Sequence, residues 1–245
     1  MRIIARLDIK NENVIKGINF EGLRVVGKPN NLAKKYYKEG ADELIYSDCV
    51  ASLYGRNNLS TLVKEAVKDI FIPITVAGGV RSEKDADLLM KNGSDKLAIN
   101  TELFKNPKVA SELINKYGSQ SIMLSVQAKK ISGKSWEAYI NFGRDKTGMD
   151  VMEWIKKMSS YNFGELLLTS IDADGLSSGF DVELYEKACK ITNAPMIACG
   201  GFGKLEHIKE LYNHTKIDAI SISKAIHYEK IKIKEIKDYI KKIDG

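Results

Sequence analysis

Two glycine pairs carry the first sign of chemistry in this chain. Gly78-Gly79 closes the apolar run Ile74-Thr75-Val76-Ala77, and Gly200-Gly201 closes Met196-Ile197-Ala198-Cys199. Each run follows a proline, Pro73 or Pro195, and each pair leads into a charged helical pattern, Ser82 to Leu89 or Lys204 to Leu211. Glycine lets backbone approach a ligand closely, and the N–H groups that open the next helix attract anions. A single such turn is more often only a tight turn; the argument lies in the repetition. A second polar pair ends the next apolar run in each case, Asn100-Thr101 and Ser223-Lys224. Gly79, Asn100 and Thr101 therefore make one candidate phosphate cradle, and Gly200, Gly201, Ser223 and Lys224 a second. Other apolar runs end in Asp8, Asp48, Gln127, and Ser170 followed by Asp172 and Asp174.

The elements that must position these groups repeat as well. Pro73 and Pro195 stand 122 positions apart, as do Glu43-Leu44-Ile45-Tyr46 and Glu165-Leu166-Leu167-Leu168. Asp95 to Thr101 answers to Asp218 to Lys224 at an offset of 123, and Arg2 to Asp8 answers to Ser121 to Gln127 at 119. The eight predicted strands are Ile3 to Ile9, Glu43 to Cys49, Pro73 to Ala77, Lys96 to Asn100, Ile122 to Gln127, Glu165 to Ser170, Pro195 to Cys199 and Ile217 to Ser221. Short apolar strands alternating with helical patterns predict a parallel sheet, and two related halves predict its closure as a (βα)8 barrel rather than an open doubly wound sheet. Residues 1–245 are expected to form one barrel domain. Lys10 to Phe20 and Val50 to Asn58 read as long loops, and Lys129 to Gly148 as a small excursion. Barrel chemistry sits at the C-terminal strand ends, where the two cradles would face each other across the mouth. That arrangement predicts a long substrate with a phosphate at each end.

Composition limits the alternatives. No run approaches the length of a membrane span, and the first residues enter a strand without an apolar leader, so a cytoplasmic protein is expected. The three cysteines, Cys49, Cys189 and Cys199, show no paired spacing, which predicts neither disulfides nor a metal site. The net charge of +6 fits an anionic small molecule or a lysine-rich surface; no nucleic-acid motif accompanies it. Isoleucines between Lys230 and Lys242 fall mostly on one helix face, predicting a barrel-packing helix with a basic outer side.

Taken together, Leu7-Asp8-Ile9-Lys10, Val14-Ile15-Lys16-Gly17, Asn19-Phe20-Glu21, Asp42-Glu43-Leu44, Asn100-Thr101, Leu168 to Gly175 and the two Gly-Gly turns resemble the cyclase subunits of imidazole glycerol phosphate synthase. The resemblance covers essentially the whole chain. It implies a (βα)8 barrel that needs no cofactor or metal. Such a barrel takes ammonia from a glutaminase partner and converts a two-phosphate ribonucleotide into imidazole glycerol phosphate and an aminoimidazole carboxamide ribotide. Two aspartates do the acid–base work in that family. Asp8 matches the first, but the second falls on Gln127, which can hydrogen-bond but not carry a proton. Asp174 is the candidate to take over its role. Lys16, Asp48, Thr169 and Ser170 are implied to face the substrate. Arg2, Glu43, Lys96 and Glu165 match the charged ring that admits ammonia at the other end of the barrel, and Asp95 matches a partner-interface residue. Arg6 replaces the small or thiol residue usual in the family and is expected to point away from Asp8. The departures leave three other readings open: a divergent subunit serving amidine formation on a surface sugar, a non-catalytic glutaminase-binding platform, and the related ribonucleotide isomerase.

Overall fold

The computed structural model describes residues 1–51 and 59–244. Its strands are β1 (Arg2–Lys10), β2 (Asn13–Ile18), β3 (Glu21–Gly27), β4 (Glu43–Asp48), β5 (Ile74–Ala77) and β6 (Lys96–Ile99). They continue as β7 (Ile122–Ser132), β8 (Ser135–Ile140), β9 (Asp145–Asp150), β10 (Glu165–Ser170), β11 (Met196–Cys199) and β12 (Ala219–Ile222). Eight of them pair in parallel in the order β1-β4-β5-β6-β7-β10-β11-β12, and β12 returns to β1, closing the predicted barrel.

Helices α1 (Pro29–Lys38), α2 (Leu59–Ala66), α3 (Glu83–Lys91), α4 (Thr101–Lys105) and α5 (Lys108–Tyr117) serve the first half. The second half has α6 (Val151–Ser159), α7 (Val182–Cys189), α8 (Glu206–His214), α9 (Lys224–His227) and α10 (Ile233–Asp244). Among the described residues no helix is long and apolar enough to cross a membrane. The basic C-terminal pattern is helical as expected, with Ile233, Ile236 and Ile240 buried.

Strand period sorts the side chains. On β1, Ile3, Ala5, Leu7 and Ile9 join the core beneath the helices, whereas Ile4 meets Ile45, Ala77, Ala98, Met123, Leu167, Ile197, Cys199 and Ala219 inside the barrel. Arg2, Ile4, Arg6 and Asp8 thus share the inner face. Residues two apart on a strand point the same way, so the expected divergence of Arg6 from Asp8 is overturned.

The repeat of the two halves is written in backbone geometry. Asn100 and Ser223, which precede α4 and α9, have φ/ψ of −124/−83° and −136/−76°. Gly78 and Gly200 lie at φ of 92° and 97°. A Cβ on Gly78 would come within 2.7 Å of the Asp48 carbonyl oxygen, and one on Gly200 within 2.6 Å of that of Ser170. Strand starts repeat too: Asp42, Asp95 and Asp218 each accept a backbone N–H from the neighbouring strand, from Ile3 (2.8 Å), Ile74 (2.8 Å) and Met196 (2.9 Å). Gly164 holds the fourth such place because a Cβ there would meet the Ser119 carbonyl oxygen at 2.5 Å.

The expected loop Lys10 to Phe20 is instead part of a hairpin, and the excursion Lys129 to Gly148 is one too. β1 pairs antiparallel with β2, and β2 with β3; β7 runs on to Ser132, pairs with β8, and β8 pairs with β9. The turns explain why the loop reading failed. Asn19 and Phe20 have φ of 48° and 67°, and Asn141 and Phe142 have φ of 53° and 58°. Two consecutive left-handed residues make the tight turn that matches strand twist, and asparagine favours the first of them. Of the expected second loop, residues 52–58 lie outside those described.

Gly78→Ala and Gly200→Ala combine a strained φ with a backbone clash, so each should lower stability by about 2 kcal/mol. Gly22, at φ 60° with open space around it, serves as the control, and its alanine variant should lose clearly less. Urea unfolding of the three variants measures this; equal losses would show that crowding by the preceding strand is not what those glycines answer.

Candidate active site

At the C-terminal mouth of the barrel four charged groups meet out of water. The Asp8 carboxylate accepts from Arg6 Nε at 2.7 Å and from Lys16 Nζ at 3.2 Å. Lys16, reaching in from β2, also donates to both oxygens of Asp174, at 2.9 and 2.7 Å. Arg6 Nη1 lies 3.3 Å from Thr169 Oγ1 and 3.3 Å from Cys199 Sγ. All four charged residues are at most 4% exposed. Two cations and two carboxylates balance, which is what makes such burial tolerable.

Burial pushes the Asp8 carboxyl up, but Arg6 and then Lys16 outweigh it and hold it below the ordinary carboxylate range. Burial likewise opposes the charge on Lys16, yet Asp174 and Asp8 raise it above the normal lysine value. The sign for Asp8 follows: its stabilisation is present above pH about 4 and is lost as pH falls through its lower folded value.

Gln127 stands apart from this cluster. Its Oε1 accepts the Gly143 N–H at 2.7 Å, so the carboxamide anchors the turn that carries Phe142. It lines a pocket together with Arg6, Asp48, Gly78, Gly79, Asn100, Thr101, Arg81 and Lys105. The first proposed cradle therefore opens into the same space as Gln127. Asn100 Nδ2 donates to the Ser125 and Tyr139 carbonyls at 3.0 and 3.2 Å, and Thr101 Oγ1 accepts the Asn141 N–H at 3.0 Å. Both side chains thus hold the β8–β9 hairpin while their helix end faces the pocket.

The second cradle is elsewhere. Gly201 accepts from Gly179 N–H at 2.9 Å, and Lys224 donates to the Gly175 carbonyl. Lys224 lines a separate groove with Lys16, Arg24, Tyr228 and Lys230. Of the second cradle Lys224 lines this groove, and Lys16 and Arg24 of the β2–β3 hairpin form part of its wall. Asp48 accepts the Val50 N–H at 2.9 Å, and Thr169 and Ser170 are buried at the end of β10.

At the opposite end of the barrel four charged residues meet. Arg2 pairs with Glu43 and Glu165, and Lys96 Nζ reaches Glu43 at 3.0 Å and Glu165 at 2.7 Å. Asp95, on the same face, is exposed but already accepts the Ile74 N–H. Among the described residues no group of three or more His, Cys, Asp or Glu could hold a metal ion.

Two aromatic residues were missed as site residues. Phe20, at the tip of the first hairpin, stacks on Phe142, at the tip of the second, with ring centroids 4.4 Å apart. Arg6 lies 6.0 Å from the Phe20 ring centre and Arg144 5.8 Å from that of Phe142. The backbone seals the contact: Asn19 N–H donates to the Asp174 carbonyl at 2.8 Å, and a Cβ on Gly143 would sit 2.5 Å from the Phe20 ring. The signal was available, since Asn19-Phe20 and Asn141-Phe142 stand 122 positions apart, the offset of the prolines.

Stacked aromatic pairs contribute about 1 kcal/mol beyond the area they bury. Phe142→Ala should therefore speed hydrogen exchange at the amides of β2 and β3 several-fold, and adding Phe20→Ala should change little more. Additive effects of the two substitutions would show that the rings do not act as a pair.

Comparison with known proteins fits this geometry. The histidine biosynthesis protein family matches residues 2–232. An imidazole glycerol phosphate synthase subunit HisF from Legionella pneumophila is 53% identical over 206 residues, covering 84% of this chain and 97% of its own length. The HisF subunit of Wolinella succinogenes is 42% identical over 241 residues, covering 98% and 94%. That of Clostridium botulinum (strain Okra / Type B1) is 39% identical over 241 residues, covering 98% and 95%. With its closed eightfold barrel, its repeated glycine turns and an aspartate–lysine cluster at the mouth, the chain belongs to the histidine biosynthesis protein family, alongside the cyclase subunits of imidazole glycerol phosphate synthase.

Proposed function

We propose that this chain is an ammonia-using cyclase subunit of the imidazole glycerol phosphate synthase type. It would act on a two-phosphate ribonucleotide in histidine biosynthesis, beside a glutaminase in the cytoplasm. The observation that carries this reading is the Lys16-bridged pair Asp8 and Asp174 at the mouth, set beside a glycine-turn cradle at one end of a barrel whose other end is a charged ring.

The parts divide as follows. Gly79, Asn100 and Thr101 take one phosphate, and Gly200, Gly201, Ser223 and Lys224 the other once the β2–β3 hairpin lifts to let a long substrate span both. Asp8 is the principal proton acceptor. Gln127 holds the Phe142 turn, so the second proton falls to Asp174 or water. Arg2, Glu43, Lys96 and Glu165 form the entrance for ammonia, and Asp95 lies on the face that meets the glutaminase.

Supplied with ammonium and the two-phosphate ribonucleotide, purified protein should turn over slowly, and Asp8→Asn should lose a further factor of about 10²–10⁴. Gln127→Asp restores a carboxylate but gives up the bond to Gly143, so its rate should stay close to that of the wild type. No turnover by wild type, with soluble folded protein, would sink the cyclase reading and leave amidine formation on a different phosphorylated sugar.

A further inference from the structure

Arg6 has no place in the chemistry described so far, yet it is the group closest to the principal carboxylate. Of the two cations that touch Asp8, Lys16 is shared, lying 3.2 Å from Asp8 and 2.7 Å from Asp174. Arg6 makes the shorter contact, 2.7 Å, and no other salt bridge among the described residues. Its Nη1 is seated on Thr169 and Cys199, which fix the guanidinium plane across the lumen from its own strand. A guanidinium keeps its charge at every working pH, so this is a permanent cation in a fixed pose.

We infer that Arg6 is a positioning residue: it fixes Asp8 as a carboxylate that can accept a proton from the substrate, and denies it the acid half of an acid–base pair. A proton taken up at Asp8 is not retained there to serve as a general acid. Gln127 cannot supply one either, because a carboxamide has no proton to lose in this range.

Five titratable groups pack around Asp8 and Arg6: Lys16, Asp174, Cys49, His227 and Cys199. Lys16 from β2 and Asp174 from the turn after β10 complete the ion cluster around Asp8. Burial and then Asp8 push the thiol of Cys49, after β4, well up. Burial and then Lys16 push His227 of α9 down to about 4. Cys199 at the end of β11 faces Arg6 and lies behind it from Asp8.

The kinetic consequence rests on the cyclase reading, but the assignment itself can be read without turnover. Full-length protein with ¹³C-labelled aspartate carboxyls, the Asp8 signal assigned by its loss in Asp8→Asn, is titrated from pH 7 downward as wild type, Arg6→Ala, Arg6→Gln and Arg6→Lys. Thermal melts confirm that each variant is folded. The Asp8 midpoint should rise by about one pH unit or more in Arg6→Gln and Arg6→Ala, and return towards wild type in Arg6→Lys. Arg6→Gln keeps a hydrogen-bond donor at the level of Nε and leaves a smaller cavity, so it reads the charge even if the cavity left by alanine prevents folding. A midpoint that does not move in Arg6→Gln overturns the proposal, since Lys16 alone would then hold the carboxylate. Where turnover is measurable, the acid limb of kcat/KM should move up with the same midpoint. A shifted midpoint in a protein without turnover sinks the cyclase reading alone; turnover with an unshifted midpoint sinks this one alone.

Discussion

The mouth of this barrel is organised by the cost of keeping Asp8 charged away from water. Even after relaxation a buried ion costs several kcal/mol unless it is paired and its oxygens are bonded. Arg6, two residues earlier on the same strand, satisfies one oxygen, and the other needs a cation from outside β1. Lys16 supplies it only if the β2–β3 hairpin lies down over the mouth. Once there, Lys16 brings Asp174 with it, and Asp174 fixes the turn after β10 through its carbonyl bond to Asn19. The lid, the ion cluster and the loop after the sixth barrel strand are therefore one mechanical unit. None of the three can move without uncovering a charge.

The half-repeat supplies the other side of that unit. Both β1 and β7 continue into hairpins, and both hairpins end in an asparagine–phenylalanine turn with both residues left-handed. Phenylalanine rarely takes that conformation, and it persists here because each ring is held by the other. Gln127 accepts the Gly143 N–H and so pins the Phe142 turn. Gln127 and the aromatic clasp are thus parts of one structural feature.

Much of this was legible in the sequence, and the failures are instructive. The barrel, its strand order and the glycine turns follow from apolar runs at matching offsets, a long-range pattern that local ambiguity does not erase. The charged ring was legible only through the family resemblance, since charged residues at strand starts such as Arg2, Glu43, Lys96 and Glu165 by themselves suggest surface. The hairpins were not legible. Val14 to Ile18 has a lysine and a glycine in an otherwise apolar run, and nothing in Asn19-Phe20 announces a turn without glycine. The orientation of Arg6 was also missed, although a period of two settles it, because an arginine inside a barrel is improbable until its partners are known. The groove that Lys224 lines lies beyond sequence reasoning, since it depends on where the hairpin rests.

Arg6 stands at the mouth end of the lumen. Below it lies an apolar layer of Ile4, Ala77, Ala98, Met123 and their neighbours, and below that the ring of Arg2, Glu43, Lys96 and Glu165. Both charged layers balance internally, so neither imposes a strong field on the apolar layer between them. An ion entering that layer would lose its hydration with nothing to replace it, whereas a small neutral molecule would not. On the proposed function, ammonia would travel as the neutral species and meet the Arg6 guanidinium on arrival.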